Sequence, residues 1–199
     1  KEVETLTFPE VDSCCLPNGI PLYIIDRGDQ ELSRVDILFS AGKVQERQPL
    51  TAKFTAAMLR EGASGLSSAY IAEKLDYYGT TLQTLATQRN TYITLYSANR
   101  YFFDILPLLC KLVVSPDFPE EEFRTLKERN RQALSVDLMK VNVLASRIFS
   151  EQLFGAENPY GKSEQLADYD TLTTAHLREF HSRYYTAEQC RIVLSGRIT

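Results

Sequence analysis

The pattern of apolar and polar positions begins with alternation that turns back on itself. Residues 11–16 and 20–25 read as two strands joined at Asn18-Gly19, the pair that best supplies the two positive-φ positions of a type I′ hairpin turn. Pro17 and Pro21 flank this turn and suit strand ends or an edge strand. A polar turn at Arg27-Gly28-Asp29 follows, a tripeptide that also matches the integrin-recognition motif. The next strand, residues 34–40, places Val35, Ile37 and Phe39 on one face and Asp36 on the other.

From Pro49 the period becomes helical. Leu50, Phe54, Ala57 and Met58 recur three or four apart, Pro49 suits a first helical turn, and Gly62 ends the element. A second helix starts at Ser67 or Ser68 as N-cap, runs through Ile71, Leu75 and Tyr78, and stops at Gly79. Residues 80–88 and 91–98 alternate as strands around a tight turn at Arg89-Asn90, with Ile93 and Leu95 facing opposite to Tyr92, Thr94 and Tyr96. Residues 101–114 carry a helical stripe of Phe102, Ile105, Leu109 and Leu112 that Pro107 is expected to kink or shorten. Pro119 and the triple glutamate 120–122 open a long helical stretch toward Phe154, the acids sitting where a helix dipole favours them. A loop at Asn158-Pro159-Tyr160-Gly161 leads to a last helix over residues 173–185 and a final strand over 191–195. No repeat or linker interrupts residues 1–199, so the reading is one α+β domain: a mainly antiparallel sheet of five or six strands with helices on one face.

Composition narrows the function classes. With 44% apolar and 24% charged residues the chain can build its own core, and a net charge of −4 offers no basic footprint for nucleic acid or anionic membrane. No apolar run is long enough to span a bilayer, and the start, Lys1-Glu2-Val3-Glu4, is not a signal peptide. Cys14, Cys15, Cys110 and Cys190 lack the spacing of a zinc site and read as reduced thiols of a cytoplasmic type of compartment, or of a periplasm if a leader has been removed. Both histidines, His176 and His181, fall on the last helix. Five residues place them about 140° apart, so they do not form the i, i+4 pair of a helical zinc site and read as surface or packing residues. Cys190 near His181 is one candidate pair of nucleophile and base, and the position of Cys190 at the start of a buried strand argues against it. Gly-x-Ser-x-Gly, Gly-x-Gly-x-x-Gly and Walker-type loops are absent from the sequence.

Several short segments, taken in order, resemble the N-terminal domain of the M16 metallopeptidases, the pitrilysin or insulinase family that includes the mitochondrial processing peptidase. They are Leu16-Pro17-Asn18-Gly19, Ser40-Ala41-Gly42 followed by Glu46, Met58-Leu59-Arg60-Glu61-Gly62, and Ile71-Ala72-Glu73-Lys74-Leu75 to Gly79. Leu153-Phe154-Gly155 before Asn158-Pro159-Tyr160-Gly161, then Phe180 with Tyr184-Tyr185 before the strand ending at Gly196, complete the set. The resemblance covers nearly the whole chain and implies a first domain of a longer two-domain protein.

The family carries an inverted zinc motif, His-x-x-Glu-His, in which two histidines on one helix face bind Zn²⁺ and the glutamate activates water. Alignment on Met58-Leu59 puts the motif at Lys53-Phe54-Thr55-Ala56-Ala57. Lys53 and Ala57 replace the ligands and Ala56 the base; the distal glutamate falls near Gln132 or Ala133. The resemblance therefore implies no catalytic, cofactor-binding or metal residue and no cofactor. The implied function is that of a non-catalytic homologue pairing with an active, zinc-bearing M16 subunit or with itself, with a peptide as further ligand and without nucleic acid or membrane. The alternatives are a structural or interaction subunit unrelated to proteolysis and an active zinc peptidase with a relocated site.

Overall fold

The structure, a computed structural model, describes residues 9–198; residues 1–4, read above for a signal peptide, lie outside them. Six strands form one sheet: β1 (Asp12–Cys15), β2 (Pro21–Asp26), β3 (Leu32–Phe39), β6 (Thr81–Ala86), β7 (Thr91–Ala98) and β8 (Cys190–Gly196). A two-residue ladder joins β4 (Gly62–Ala63) to β5 (Leu66–Ser67). The helices are α1 (Thr51–Met58), α2 (Ser68–Tyr77), α3 (Asn99–Val114), α4 (Glu120–Asp137), α5 (Val141–Phe154), α6 (Asp168–Thr171) and α7 (Thr174–Tyr184). Strand order is β1-β2-β8-β3-β7-β6, antiparallel at every junction except β2 with β8.

The sheet's inner face follows directly from the alternation in the sequence. Val35, Ile37 and Phe39 of β3 and Ile93 and Leu95 of β7 join Ile71 and Leu75 of α2, Ile105, Leu109 and Leu112 of α3, and Phe180 of α7 in one apolar cluster. A second cluster forms on the far side of α1, where Phe54 and Met58 meet Phe123, Leu126 and Leu134 of α4, Tyr169 of α6 and Leu177 of α7. Edge-to-face contacts of Phe54 with Phe123 and Tyr169 lock that layer. Helix α1 is thus held between the sheet and a second layer of helices. On the opposite face of the sheet, buried Asp36 accepts from Thr94 Oγ1 at 2.6 Å and pairs with Arg34 at 2.7 Å, which satisfies a carboxylate that alternation places away from the core.

Four details differ from the sequence reading, each for a local reason. The β1–β2 turn centres on Pro17-Asn18, because Gly19 N–H donates to Leu16 C=O at 2.8 Å and Leu16 N–H to Ile20 C=O at 2.9 Å. Pro17 presets the first central residue of a type I turn, and Gly19 at φ +83° supplies the left-handed residue after it. Pro49 lies before the helix rather than inside its first turn, since Leu50 at φ +71° is the residue that precedes α1. Pro107 leaves α3 continuous over 16 residues. The carbonyl it frees belongs to Phe103, 80% exposed, so water is available to it. The stretch toward Phe154 is two helices, α4 and α5, because Leu138 packs onto the second cluster and Lys140 becomes extended, its ammonium bonded to Asp137 at 2.7 Å.

The capping expectation for α2 resolves to Ser67, whose Oγ accepts from Tyr70 N–H at 3.3 Å. Among the described residues no helix is long and apolar enough to cross a membrane.

Candidate functional site

The segment aligned with the zinc motif occupies α1, and the start of that helix is built by a buried carboxylate. Glu46 Oε1 accepts from Ala52 N–H at 2.7 Å and Oε2 from Leu50 N–H at 3.2 Å. It does the work of a conventional Ser or Asp cap from four to six residues upstream. Burial raises its pKa from 4.5 to about 7, against the lowering effect of those N–H donors and of nearby Lys43. Burial also lowers the Lys43 pKa.

Along α1 each motif position has a different fate. Lys53 reaches out to Glu164, Nζ to Oε2 at 3.1 Å, with both side chains partly exposed. Phe54 and Thr55 are buried, and Thr55 Oγ1 has no hydrogen-bond partner. Ala56 is 1% exposed, and Ala57 packs half-buried against the second cluster. Gln132 and Ala133 are exposed on α4, which meets α1 through Phe123, Leu126 and Leu134 instead.

These groups do not fit a zinc ion. The Lys53 ammonium is ion-paired to Glu164, two alanine methyls have no lone pair, and a tetrahedral site needs three or four lone-pair donors. Among the described residues no group of three His, Cys, Asp or Glu side chains is arranged to hold a metal.

A cavity of about 580 Å³ opens beside Lys53. Its walls are the segment before α1 with Lys43, Glu46 and Leu50, the end of β6 with Ala86, Thr87 and Gln88, and a strap carrying Pro159, Glu164 and Asp168. Four contacts fasten the strap: Lys53 to Glu164, Lys43 Nζ to Lys162 C=O, Arg89 Nε to Tyr160 OH at 2.8 Å, and Arg147 Nη2 to Glu164 C=O at 2.6 Å. Two glycines allow the backbones to meet here. A Cβ on Gly42 would lie 2.3 Å from the Arg89 carbonyl carbon, and one on Gly161 2.1 Å from Gly155 O. The cavity wall contains a buried, unpartnered Gln88 Oε1, an acceptor open to a ligand that donates.

The histidines take the structural places expected of them. His176 Nδ1 lies 3.2 Å from Thr173 N at the start of α7, so that nitrogen accepts. His181 Nε2 is 2.8 Å from Val113 O, and its ring packs on Phe118 and Tyr185. Burial lowers its pKa. Burial pushes the Cys190 thiol up to about 11, which keeps it protonated at neutral pH and makes it a poor nucleophile.

Lys53 was legible from the sequence as the replaced ligand. Its partner Glu164 was not: it sits 111 residues away in an irregular loop with no periodic signal. Glu46 was visible as a matched position, but nothing local announces that it caps a helix beginning five residues later.

No family sequence model and no curated protein sequence matches the chain. Solved structures do. The peptidase M16 inactive domain from Pseudomonas fluorescens superposes at TM-score 0.90 with 23% identity, covering 96% of this chain and 47% of that one. A protease from Helicobacter pylori gives 0.84 with 15% identity, covering 97% and 48%. An M16-like peptidase from Alicyclobacillus acidocaldarius gives 0.83 with 14% identity, covering 98% and 48%. The chain spans about half the length of each. At these identities the likeness speaks for the fold, and the fold of this chain is that of an M16 peptidase domain, similar to one described as inactive.

Proposed function

We propose that this chain is a non-catalytic M16-type domain that pairs with a zinc-bearing subunit of the same fold and supplies wall and peptide-binding surface to a peptide-processing assembly. The observation that carries the reading is the state of α1. Where the motif calls for two imidazoles and a carboxylate, the helix presents an ammonium tied to Glu164 and two alanines, one of them in the core. The side chains at these positions, Lys53, Ala56 and Ala57, offer neither a general base nor ligands for a Lewis acid.

The sheet supports the peptide-binding part. β6 is an edge strand, and residues 86–88 at its end line the cavity. An extended peptide adding to that edge would run along the cavity mouth, with main-chain hydrogen bonds giving affinity and the cavity receiving a side chain. The likeness to an inactive M16 domain is consistent with the same reading.

The test is metal content and activity of the purified protein, together with its partners. The expected result is less than a tenth of a zinc per chain by elemental analysis, no chelator-sensitive cleavage of a flexible peptide, and co-purification with a protein bearing His-x-x-Glu-His. One zinc per chain with cleavage would overturn it. Co-purification with an unrelated assembly would move the assignment to a structural subunit.

A further inference from the structure

Beside the cavity one carboxylate stands near two donors and serves only one of them. Glu164 turns both oxygens to Lys53, whose Nζ lies 3.1 and 3.3 Å from them. Tyr169 is 1% exposed in the second cluster, and its buried hydroxyl has no hydrogen-bond partner. Burial raises the phenol's pKa and the adjacent charge of Glu164 raises it further, so this carboxylate is the acceptor within its reach.

The two contacts open to Glu164 differ in worth. A buried hydroxyl without a partner bears the whole cost of leaving water. The Lys53–Glu164 pair, with side chains 42% and 28% exposed, contributes little by comparison. A second carboxylate placed on Lys53 therefore costs the fold little, because Glu164 leaves a weak ion pair and accepts a buried hydrogen bond from Tyr169. The strap need not open for this exchange. Arg147 Nη2 donates to the Glu164 carbonyl at 2.6 Å, so the side chain turns while its backbone stays fixed.

We propose that Lys53 is the seat of a ligand carboxylate in the cavity, and that Glu164 is its internal stand-in, released to Tyr169 when the ligand binds. The seat suits a carboxylate because that is the group it already holds, across both oxygens. The other acids of the wall are engaged or face water: Glu46 accepts from Leu50 and Ala52 N–H, Asp168 accepts from Gln165 N–H at 2.7 Å, and Glu157 is exposed. Lys43 and Lys162 add positive charge to the same wall. At about 580 Å³ the cavity has room for the group that carries the carboxylate. Resting on the peptide-binding reading above, that group is a peptide, which offers either its C-terminal α-carboxylate or an acidic side chain.

The experiment is calorimetric titration of the protein expressed from its natural coding sequence with three N-acetylated peptides of alanine and threonine. One is amidated and uncharged, one ends in a free carboxylate, and one is amidated with a single glutamate. The uncharged peptide sets the affinity for the edge of β6. At least one carboxylate peptide should bind about tenfold more tightly, and which one does so identifies the source. Lys53→Met reduces that preference below about twofold and leaves the uncharged peptide's affinity as it was. Glu164→Gln acts in the opposite direction: with the competing charge gone, carboxylate affinity rises several-fold, a gain that damage to the site would not produce. Tyr169→Phe, which denies Glu164 its second partner, weakens the preference. Equal binding of all three peptides overturns the carboxylate seat and leaves the peptide-binding reading standing, whereas no binding by any of them overturns that reading as well. A preference that survives Lys53→Met, falls in Glu164→Gln or is indifferent to Tyr169→Phe also overturns the proposal.

Discussion

Replacing Glu46 by glutamine removes a proton-binding site that the folded protein holds far more tightly than the unfolded chain. Glu46 is buried at the start of α1 and titrates near pH 7 rather than 4.5. Between those values the folded state keeps a proton that the unfolded state has released. The stability Glu46 contributes is therefore fully present below pH 4.5 and is lost as pH rises through 7. At about 1.4 kcal/mol for each tenfold change in proton affinity, the loss is roughly 3 kcal/mol. Glutamine cannot ionise, so Glu46→Gln lacks this decline. It has one acceptor oxygen for the two N–H groups of Leu50 and Ala52, which lowers its stability by a constant of about 1 kcal/mol. The assay is urea unfolding of wild type and variant at intervals from pH 4 to pH 8. Titration of His181 and of other groups that do not interact with Glu46 cancels when the two curves are subtracted. The wild-type advantage should shrink by roughly 2–3 kcal/mol across that range. A difference flat to within about 0.5 kcal/mol, or one that grows with pH, would refute the placement of Glu46 as a buried carboxylate.

Two further substitutions test how α1 and α3 are held. Ala56→Glu introduces the side chain that the aligned zinc motif has at that position, but here it would bury an unpaired carboxylate at a site 1% exposed. A loss of about 3 kcal/mol or more is expected in denaturant unfolding, and a loss below about 1 kcal/mol would mean that the position opens to the cavity. Pro107→Ala supplies the missing N–H to the Phe103 carbonyl inside a continuous helix. It should stabilise by about 1–2 kcal/mol, less than a fully buried interior proline would give, because the freed carbonyl already faces water; no gain in thermal midpoint would show α3 to be kinked in solution.

The elements that sequence made legible are those whose pattern is set by one buried face. Alternation at Val35-Ile37-Phe39 and at Ile93-Leu95 gave β3 and β7 with the correct inner face. The stripe at Phe102, Ile105, Leu109 and Leu112 marked α3. Where a tertiary contact decides, local pattern fell short. Leu138 ends α4 because the second cluster draws it in, and the β4–β5 ladder is two residues long, too short for any period. The turn at Pro17-Asn18 followed proline's fixed φ rather than the Asn-Gly pair. The site divides in the same way. The absence of histidine from residues 53–57 could be read from five consecutive residues, whereas the Lys53–Glu164 ion pair depends on a strap more than 100 residues downstream, brought near by packing of α4 to α6 around α1.

The position of β8 has a consequence for the order in which this protein assembles. Leu22 of β2 and Ile37 of β3 both pair with Ile192 of β8. Among the described residues, the β1–β2 hairpin therefore has no partner in the sheet until residues 190–196 have been synthesised. Strands β3, β7 and β6 can zip together early, since each joins its neighbour directly, but they present the open edge of β3 until β8 slides between the two halves. Such long-range pairing is slow, and an unpaired edge is a template for other chains. A chain cut short before residue 190 keeps the apolar faces of both halves and lacks the strand that joins them, so two sheet edges stay open in it.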